Sequence, residues 1–366
     1  MKDRADKKNE RSVVGKFFTS IFLGANLLSL FLLWACCATT WVNPAFHPRM
    51  AVAGLLFPFF LFLNLLFLPF WLLFRPRLLV VPVVGMAICG GYILDYFPVS
   101  LSSHGASDEA DVVTVMQWNA YDFHSYPRDS VGAGFAYLEE SGADIICLQE
   151  YGFRSRRYQE YHDSLRARGY NLRQGNVLRC VMTRYPILSC DTVKAETQRH
   201  NGSEAYHLLI GGDTVTLVNA HLECYRFSED DKDEYGSMLN QRSKGKFKQE
   251  LLFLLQKLSS SSHNRALQTQ ALADYLDHLP RGRRVILCGD FNETPISYSY
   301  QTVSRRLQNV FRRCGRGVGI TFREKNFPVR IDHIFCSRDW DCVSVHIDRT
   351  MTASDHCPVI AKLKKR

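Results

Sequence analysis

The chain has 366 residues and a formal net charge of +9, and its length fits one large domain or two smaller ones. The first 100 residues hold nine Lys or Arg against four Asp or Glu, a net charge of +5, and leave only +4 for the rest. A small, dispersed positive excess is not the concentrated basic face of a dedicated nucleic-acid-binding domain. The charge therefore does not identify a substrate.

Three apolar segments follow a basic N-terminal stretch, residues 1–16, and each is close to the about 20 residues that a helix needs to cross a bilayer. The uncharged stretches lie between Lys16 and Arg49, between Arg49 and Arg75, and between Arg77 and Asp95. The first lacks a small-residue cleavage site and the second, residues 51–74, shows no polar face, which argues against a removed signal peptide and against soluble helices. We therefore expect three transmembrane helices within residues 17–97.

Basic residues predict the orientation of these helices, because Lys and Arg accumulate on the cytoplasmic side of membrane proteins. Six Lys or Arg precede the first segment, and the connection at residues 75–77 is also basic, whereas the exit from the third segment carries Asp108, Glu109 and Asp111. The sequence thus predicts an integral membrane protein with a cytoplasmic N-terminus and an extracytoplasmic C-terminal domain. Aromatic residues that favour the interface lie near the expected ends of the spans: Trp41, Trp71, Tyr92 and Tyr96.

Cysteine usage opposes this topology. Nine of the twelve cysteines follow residue 100, and their spacing contains no CxxC or Cys/His pattern of a zinc site. Cys147, Cys288 and Cys336 lie in apolar strand-like runs, which favours small buried hydrophobes over disulfides or metal ligands. Many free thiols suit a reducing compartment better than an oxidising one.

A linker is expected at residues 98–111, where Pro, Ser, Gly and acidic residues replace the apolar sequence, and a catalytic domain at residues 112–366. Strands are expected at residues 112–118, 144–148, 180–183, 206–210, 214–220, 285–288, 330–336 and 358–363, and helices at residues 135–141, 155–168 and 267–278. The Gly211-Gly212 pair predicts a hairpin. This mixture favours a mixed sheet or sandwich flanked by helices over a purely parallel sheet.

One segment departs from this rhythm and is interpreted as an insertion at residues 224–264. It combines an acidic patch at residues 229–234 with a basic patch and a serine run at residues 259–262. Its middle, residues 247–258, has helical apolar spacing, which favours a packed surface helix over a substrate-binding arm.

Polar residues recur at the ends of the expected strands, at six places. These hold Asn119; Glu150; Asn219 with His221; Asp290 with Asn292; Asp332; and Asp355 with His356. Glu150 follows an apolar run, where an unpaired carboxylate is costly, and a hard cation would satisfy it and could also take the amide oxygen of Asn119. Residues two apart in a strand share a face, so Asn219 lies beside His221 and Asp290 beside Asn292.

In this order and with these neighbours, the six places resemble the endonuclease/exonuclease/phosphatase family. That family also contains DNase I-like nucleases, apurinic endonucleases, neutral sphingomyelinases and inositol polyphosphate 5-phosphatases. The resemblance runs from about residue 112 to residue 363, and its most specific pieces are Cys288-Gly289-Asp290-Phe291-Asn292 and Ser354-Asp355-His356-Cys357-Pro358. It implies a four-layered, DNase I-like α/β sandwich with the active site where both sheets present their strand ends.

The resemblance also implies a metal site and an attacking water. Glu150 and Asn119, together with Asp355, would hold Mg²⁺ or Mn²⁺ against a phosphate oxygen. Asp290, positioned by Asn292, would orient or deprotonate the attacking water. Such groups suit in-line attack on a phosphoester, which needs an activated water, a cation and donors aimed at developing charge.

The two histidines complete the implied machinery. His221 and His356 would stabilise the charge of the pentacoordinate phosphorane, with His221 oriented by Asp332 and His356 held by Asp355. Whether Asp290 or the pair of Asp355 and His356 acts as the general base stays open at this point.

The expected activity is metal-dependent hydrolysis of a phosphoester on a lipid headgroup, a nucleic acid or a small phosphate ester, with no protein partner implied. A nuclease is the alternative, although His221 argues mildly against abasic-site repair because apurinic endonucleases resemble tyrosine-bearing patterns nearby. A catalytically silent, membrane-tethered binding module would lack a metal ligand or base, and none is missing. A transporter would need charged residues inside the spans, and only Asp95 lies near the end of the third.

Overall fold

A computed structural model describes residues 2–100, 111–124, 130–176, 178–196, 201–225, 244–323 and 328–366. The predicted acidic patch at residues 229–234 lies outside these described residues, as do Asp108 and Glu109 and most of the expected linker.

Five helices form an N-terminal helical module, residues 15–97. These helices are α1 (Lys2–Ala38), α2 (Pro48–Ala51), α3 (Phe57–Phe74), α4 (Val80–Ile88) and α5 (Gly90–Tyr96). The basic N-terminal stretch forms the first part of α1 and precedes the module. Two continuous stretches, Gly15–Trp41 and Pro48–Phe74, are each 27 residues long and apolar enough to cross a membrane. A third candidate is a pair bent by 68°, Pro76–Ile88 with Gly90–Tyr96. The three expected spans thus correspond to two continuous helices and one broken one.

A buried polar cluster joins α1 to α3. Asn26 Nδ2 donates to Asn64 Oδ1 at 3.0 Å, Asn64 Nδ2 donates to Ser29 Oγ at 2.8 Å, and Trp71 Nε1 donates to Asn26 Oδ1 at 2.9 Å. Side-chain hydrogen bonds of this kind hold apolar helices together where the hydrophobic effect between them is weak. Trp71 is buried in this cluster, and its indole N–H has its partner inside the module.

Twelve strands and five further helices follow in the described part of the chain. The strands are β1 (Val112–Asn119), β2 (Ile145–Gln149), β3 (Asn171–Gln174), β4 (Arg179–Thr183), β5 (Ile187–Val193), β6 (Gly202–Ile210), β7 (Asp213–His221), β8 (Arg284–Asp290), β9 (Gln308–Asn309), β10 (Asp332–Cys336), β11 (Trp340–Ile347) and β12 (Val359–Lys365). The helices are α6 (Ser130–Glu140), α7 (Gln159–Ala167), α8 (Lys244–Asp277), α9 (Tyr298–Ser304) and α10 (Val310–Cys314).

The strands form two six-stranded sheets with the orders β11-β12-β1-β2-β4-β3 and β5-β6-β7-β8-β10-β9. Apolar residues of both sheets meet between them, among them Val115 and Val181 from the first and Leu217 and Ile286 from the second. The outer face of the first sheet packs on α6 and α7, and the outer face of the second packs on α8 and α9. The layers therefore run helix, sheet, sheet, helix, which confirms the expected four-layered α/β sandwich.

Each of the eight expected strands coincides with an observed one, and β6 and β7 form the expected hairpin. Its turn residues Gly211 and Gly212 have φ of 56° and 82°, which glycine adopts without strain. The segment at residues 247–258, interpreted as a packed helix within an insertion, belongs to the continuous helix α8. All twelve cysteines are free, and Cys147, Cys288 and Cys336 are buried, as expected of small hydrophobes.

Candidate active site

Strand register brings the predicted site residues to one end of the sandwich. In the second sheet, Asp290 lies beside His221 on the parallel strand β7 and beside Asp332 on the antiparallel strand β10. In the first sheet, Asn119 ends β1 next to Gln149 at the end of β2. The carboxyl ends of parallel strands lie on the same side of their sheet. Because the two sheets face each other, these strand ends come together at one end of the sandwich. We call this the site end of the sandwich.

Asp290 is the centre of the site. It is buried; Asn119 Nδ2 donates to Oδ2 at 2.9 Å, and the backbone N–H of Asn292 donates to Oδ1 at 2.8 Å. His356 Nε2 lies 3.8 Å and His221 Nε2 3.9 Å from the same Oδ2. Burial, followed by the negative charge of Asp332, raises the pKa of Asp290 to about 6. The carboxylate is therefore ionised but basic near neutral pH, as a general base should be.

His356 is paired with Asp332. Its Nδ1 lies 2.8 Å from Asp332 Oδ2, and Gln117 Nε2 donates to the other carboxylate oxygen at 2.7 Å. Burial works to lower the pKa of His356, but Asp332 and Asp290 outweigh it and raise that pKa to about 10. This pairing also keeps the pKa of Asp332 low despite its burial. At neutral pH the ring is thus an imidazolium whose Nε2 points towards Asp290.

The pairing corrects two expectations. Asp332 was expected to orient His221 and Asp355 to hold His356, whereas the structure pairs Asp332 with His356. The reason is strand register: β10 places Asp332 opposite Asp290 at the site end, where its carboxylate meets the His356 ring. Asp355 is half-buried and accepts a 3.4 Å hydrogen bond from Ser354 Oγ.

His221 is in a different electrostatic state. Burial lowers its pKa to about 4, so the ring is neutral near pH 7. Its Nε2 lies 3.5 Å from Glu150 Oε1 and is a buried polar atom without a hydrogen-bond partner. Such an atom is costly unless a ligand, ion or water completes it. The atom is therefore aimed at the space between Glu150 and Asp290.

Glu150 is the more open of the central carboxylates, with 30% of its side chain exposed against 1% for Asp290. Its φ of 47° is in the left-handed region, which costs a non-glycine residue about 1–3 kcal/mol and is concentrated at functional sites. Asn292 has a φ of 51° and shares this feature. Burial raises the pKa of Glu150, opposed by the hydrogen bond from Asn119.

Asn119 is placed differently from the metal ligand that the resemblance implies. Its amide oxygen accepts the backbone N–H of Tyr121 at 3.1 Å, while its Nδ2 donates to Glu150 Oε1 at 3.1 Å and to Asp290. Asn119 therefore orients the two carboxylates. Among the described residues, Asp290, Asp332 and His356 form a group whose possible metal-ligand atoms all lie within 4.8 Å of one another. This set differs from the expected Asn119, Glu150 and Asp355.

The residues present nevertheless fit a hard divalent cation. Such ions prefer carboxylate oxygens. Asp332 accepts from Gln117 and His356, and Asp290 accepts from Asn119 and Asn292, which leaves the more exposed Glu150 as the freer oxygen donor. Burial raises the pKa of Glu150, and a bound cation would stabilise its ionised form.

Several residues that support the site escaped the sequence analysis. Gln117 holds Asp332, Thr321 Oγ1 accepts the backbone N–H of Asp332 at 3.1 Å, and Ser354 Oγ donates to the backbone oxygen of Asn119 at 2.7 Å. Gln117 had a signal: it shares the inward face of β1 with Asn119, two residues away. Asn219, in contrast, lies behind the site, where its amide oxygen accepts from Gln149 Nε2 at 2.7 Å and joins the two sheets.

Two packed sheets with helices on both outer faces and a cluster of acids, amides and histidines at one end define a DNase I-like α/β sandwich. The chain belongs to the endonuclease/exonuclease/phosphatase family, whose model matches residues 116–356. A second family model, a domain of unknown function (DUF8431), matches residues 19–96 of the helical module.

The solved structures that the chain resembles are distant in sequence. An endonuclease/exonuclease/phosphatase from Beutenbergia cavernae is 17% identical, with 70% of this chain and 72% of that chain covered and a TM-score of 0.49. The human Nocturnin catalytic domain with bound sulfate is 15% identical, covering 70% and 95%, with a TM-score of 0.49. Truncated Caenorhabditis elegans TDP2 is 17% identical, covering 69% and 98%, with a TM-score of 0.47. A comparison with curated proteins found no match.

Proposed function

We propose that this protein is an integral membrane hydrolase of phosphoester bonds that depends on Mg²⁺ or Mn²⁺. The observation that carries the proposal is the arrangement around Asp290. A buried carboxylate of raised pKa lies between a histidine held as imidazolium and a neutral histidine whose Nε2 has no partner. Pairs of groups whose environments push their pKa values apart are typical of acid and base assignments in active sites.

In this proposal Asp290 is the general base. Asn119 and the backbone of Asn292 fix its two oxygens, and ionised Asp290 accepts a proton from the water that attacks phosphorus, while the P–O bond to the ester oxygen breaks and the leaving oxygen takes a proton from solvent. His356 donates from Nε2 to a phosphoryl oxygen, and its charge is maintained by Asp332. His221 faces the same space and offers a neutral hydrogen-bonding nitrogen to another phosphoryl oxygen. Preorganised donors of this kind stabilise charge that develops in the transition state.

Glu150 would hold the divalent cation, with Asp355 as a further carboxylate nearby. When bound, the cation neutralises phosphate charge and polarises the phosphorus centre. Since none of these groups is replaced by an inert residue, a catalytically silent binding module finds no support in the site.

The test uses the full-length protein in detergent with bis(p-nitrophenyl) phosphate as a soluble diester. Turnover should require Mg²⁺ or Mn²⁺, disappear with EDTA and return when the cation is restored. Turnover that is insensitive to EDTA would refute the metal assignment, and no turnover of any phosphoester, on a folded and metal-supplied protein, would refute the activity.

A further inference from the structure

The helical module is attached to the site end of the sandwich. Ile296, in the loop that follows β8, is buried in the apolar cluster of the helical module, among residues that include Leu33, Phe57 and Met86. A Cβ added to Gly54 would come within 2.5 Å of the Ile296 backbone oxygen, so glycine is what permits this close approach. Ile296 is six residues from Asp290. The loop that carries the proposed general base is thus anchored in the module.

A second site segment is anchored in the same way. Arg330 donates to the backbone oxygens of Asp95 and Tyr96, at the end of α5, and to that of Val318 at 2.7 Å. Arg330 lies only two residues before Asp332, the partner of His356. Since an extended chain spans at most about 3.6 Å per residue, Asp332 lies within about 7 Å of Arg330 and Asp290 within about 22 Å of Ile296, measured between Cα atoms.

Further contacts fix the angle between the two parts. Asp95 accepts from Gln301 Nε2 at 2.8 Å and pairs with Arg312 Nη1 at 3.1 Å, and His263 Nδ1 lies 2.9 Å from the Ala45 backbone oxygen. These contacts come from helices α8, α9 and α10 of the sandwich. They all reach the same end of the module, which is formed by the connection between the first two candidate spans and by the end of the third.

The other end of the module carries the basic residues that were predicted to lie on the cytoplasmic side. A Cβ on Gly15, near the start of the first span, would lie 3.8 Å from Arg75 Nη2, at the connection between the second span and α4. The sandwich is thus held at the opposite end from this basic connection. This arrangement is that of three crossings, with the broken pair α4 and α5 as the third.

Interface markers lie at the attached end. Trp41 is 68% exposed; its Nε1 donates to Tyr92 Oη at 2.6 Å, and the guanidinium of Arg305 lies 4.2 Å from the centre of its ring. Exposed Trp and Tyr side chains prefer the level of the lipid headgroups, so Arg305 of the sandwich is at that level too. Phe46, in the connection between the first two spans, and Met50, at the start of the second, are also exposed and enlarge the apolar surface at this end.

From this geometry we propose that the substrate is a phosphoester in the headgroup of a bilayer lipid, taken from the leaflet against which the module holds the site end. The inference rests on the proposed phosphoester hydrolysis and adds its substrate class. The headgroup layer is only about 5–8 Å deep on each side of the hydrocarbon. Arg330 and Ile296 contact the module near the ends of its spans, and they are two and six residues from Asp332 and Asp290. The site is therefore held close to the level of lipid phosphate. A tether serving a soluble substrate needs no such rigid attachment at its site end.

The first experiment compares matched substrates. Full-length protein in nanodiscs with Mg²⁺ receives phosphatidylglycerol, phosphatidylethanolamine or phosphatidic acid in the same disc, or the deacylated counterpart of each in solution, with bis(p-nitrophenyl) phosphate as the soluble reference. At least one lipid should be hydrolysed with a kcat/KM at least about tenfold above its deacylated counterpart, as expected when a rigid attachment supplies positioning that a soluble substrate lacks. Asp290→Asn should abolish this turnover.

The outcomes separate the two proposals. Hydrolysis of the soluble diester or of added plasmid DNA, with no lipid turned over, would overturn the lipid inference and leave the proposed activity intact. Equal kcat/KM for a lipid and its deacylated counterpart would also overturn it. Inactivity on every substrate, the soluble reference included, would refute the proposed function and the inference together.

A second experiment tests the position of the site at the bilayer. Arg305→Glu should lower kcat/KM for an anionic lipid by about fivefold or more, since one basic residue near a charged leaflet contributes about that factor, and should leave the soluble diester unaffected. Arg281→Glu is the matched control, because Arg281 is exposed in the turn before β8, at the opposite end of that strand from Asp290. The same loss on lipid in both variants, or in neither, would count against the inference.

Discussion

Replacing Asp332 by Asn isolates the charge that keeps His356 protonated. The pKa of His356 is about 10 against an ordinary value of 6.5, with Asp332 the largest cause that raises it. This difference corresponds to about 5 kcal/mol in favour of the imidazolium. In Asp332→Asn the burial of the ring remains while its main counter-charge is gone, so the pKa of His356 should fall well below its wild-type value.

The assay is the pH dependence of kcat/KM on a soluble diester. On the alkaline side, the wild type should lose activity as the pH rises through about 10, where His356 deprotonates. Asp332→Asn should move this alkaline limb to lower pH, and above the limb its rate should be lower by about two to three orders of magnitude, the scale for removing one transition-state donor.

Asp355→Asn is the matched control for this prediction. Asp355 contributes least among the causes that raise the pKa of His356, so the alkaline limb should stay near pH 10 in this variant even if its rate falls. An alkaline limb that moves in Asp355→Asn and stays in place in Asp332→Asn would refute the pairing seen here and support the pairing that the family resemblance implied.

Three other predictions concern the base, the attachment and the topology. The wild-type rate should fall as the pH drops through about 6, because Asp290 is then protonated; an acid limb that persists unchanged in Asp290→Asn would contradict this. Ile296→Ala should lower the free energy of unfolding by about 2–5 kcal/mol, measured by thermal or denaturant unfolding in detergent, whereas Leu188→Ala at an exposed position should not; equal effects would argue against the buried contact. Alkaline phosphatase fused after Arg366 should be active and green fluorescent protein at the same point dark, and the reverse would place the domain in the cytoplasm.

The fold was predictable where strands are buried on both sides. The eight expected strands include all interior strands of both sheets, whereas the four that escaped prediction, β3, β5, β9 and β11, are the four sheet edges. An edge strand has fewer buried neighbours and carries a weaker apolar pattern. β5 shows this directly, since most of its residues are exposed, and β9 has only two residues.

The identity of the site residues and their position at strand ends were predictable, because acids and amides that terminate apolar runs stand out in the sequence. The hydrogen-bond partners of these residues were not predictable. Asp332 and His356 are separated by 24 residues, and only the antiparallel register of β10 with β8 places Asp332 where it meets the His356 ring. Likewise, the direction of the Asn119 amide depends on a backbone N–H of Tyr121 in the next turn, which no residue pattern encodes.

The attachment of the helical module to the site end was beyond sequence reasoning for a related reason. Arg330 and Ile296 look like an ordinary basic residue and an ordinary core residue, and Asp95 looked only like a polar residue near the end of a span. Their meeting depends on the packing of two separately recognisable segments.

The central claim is that Asp290, between His221 and His356, hydrolyses phosphoesters. The most direct measurement is the Mg²⁺-dependent rate on bis(p-nitrophenyl) phosphate for full-length wild type, Asp290→Asn and His356→Ala, with Asp191→Asn, an exposed carboxylate on the edge strand β5, as the control for surface charge. We predict that Asp290→Asn and His356→Ala, while folded, each lose about two or more orders of magnitude in rate, and that Asp191→Asn keeps the wild-type rate. Near-normal rates in both Asp290→Asn and His356→Ala would contradict it.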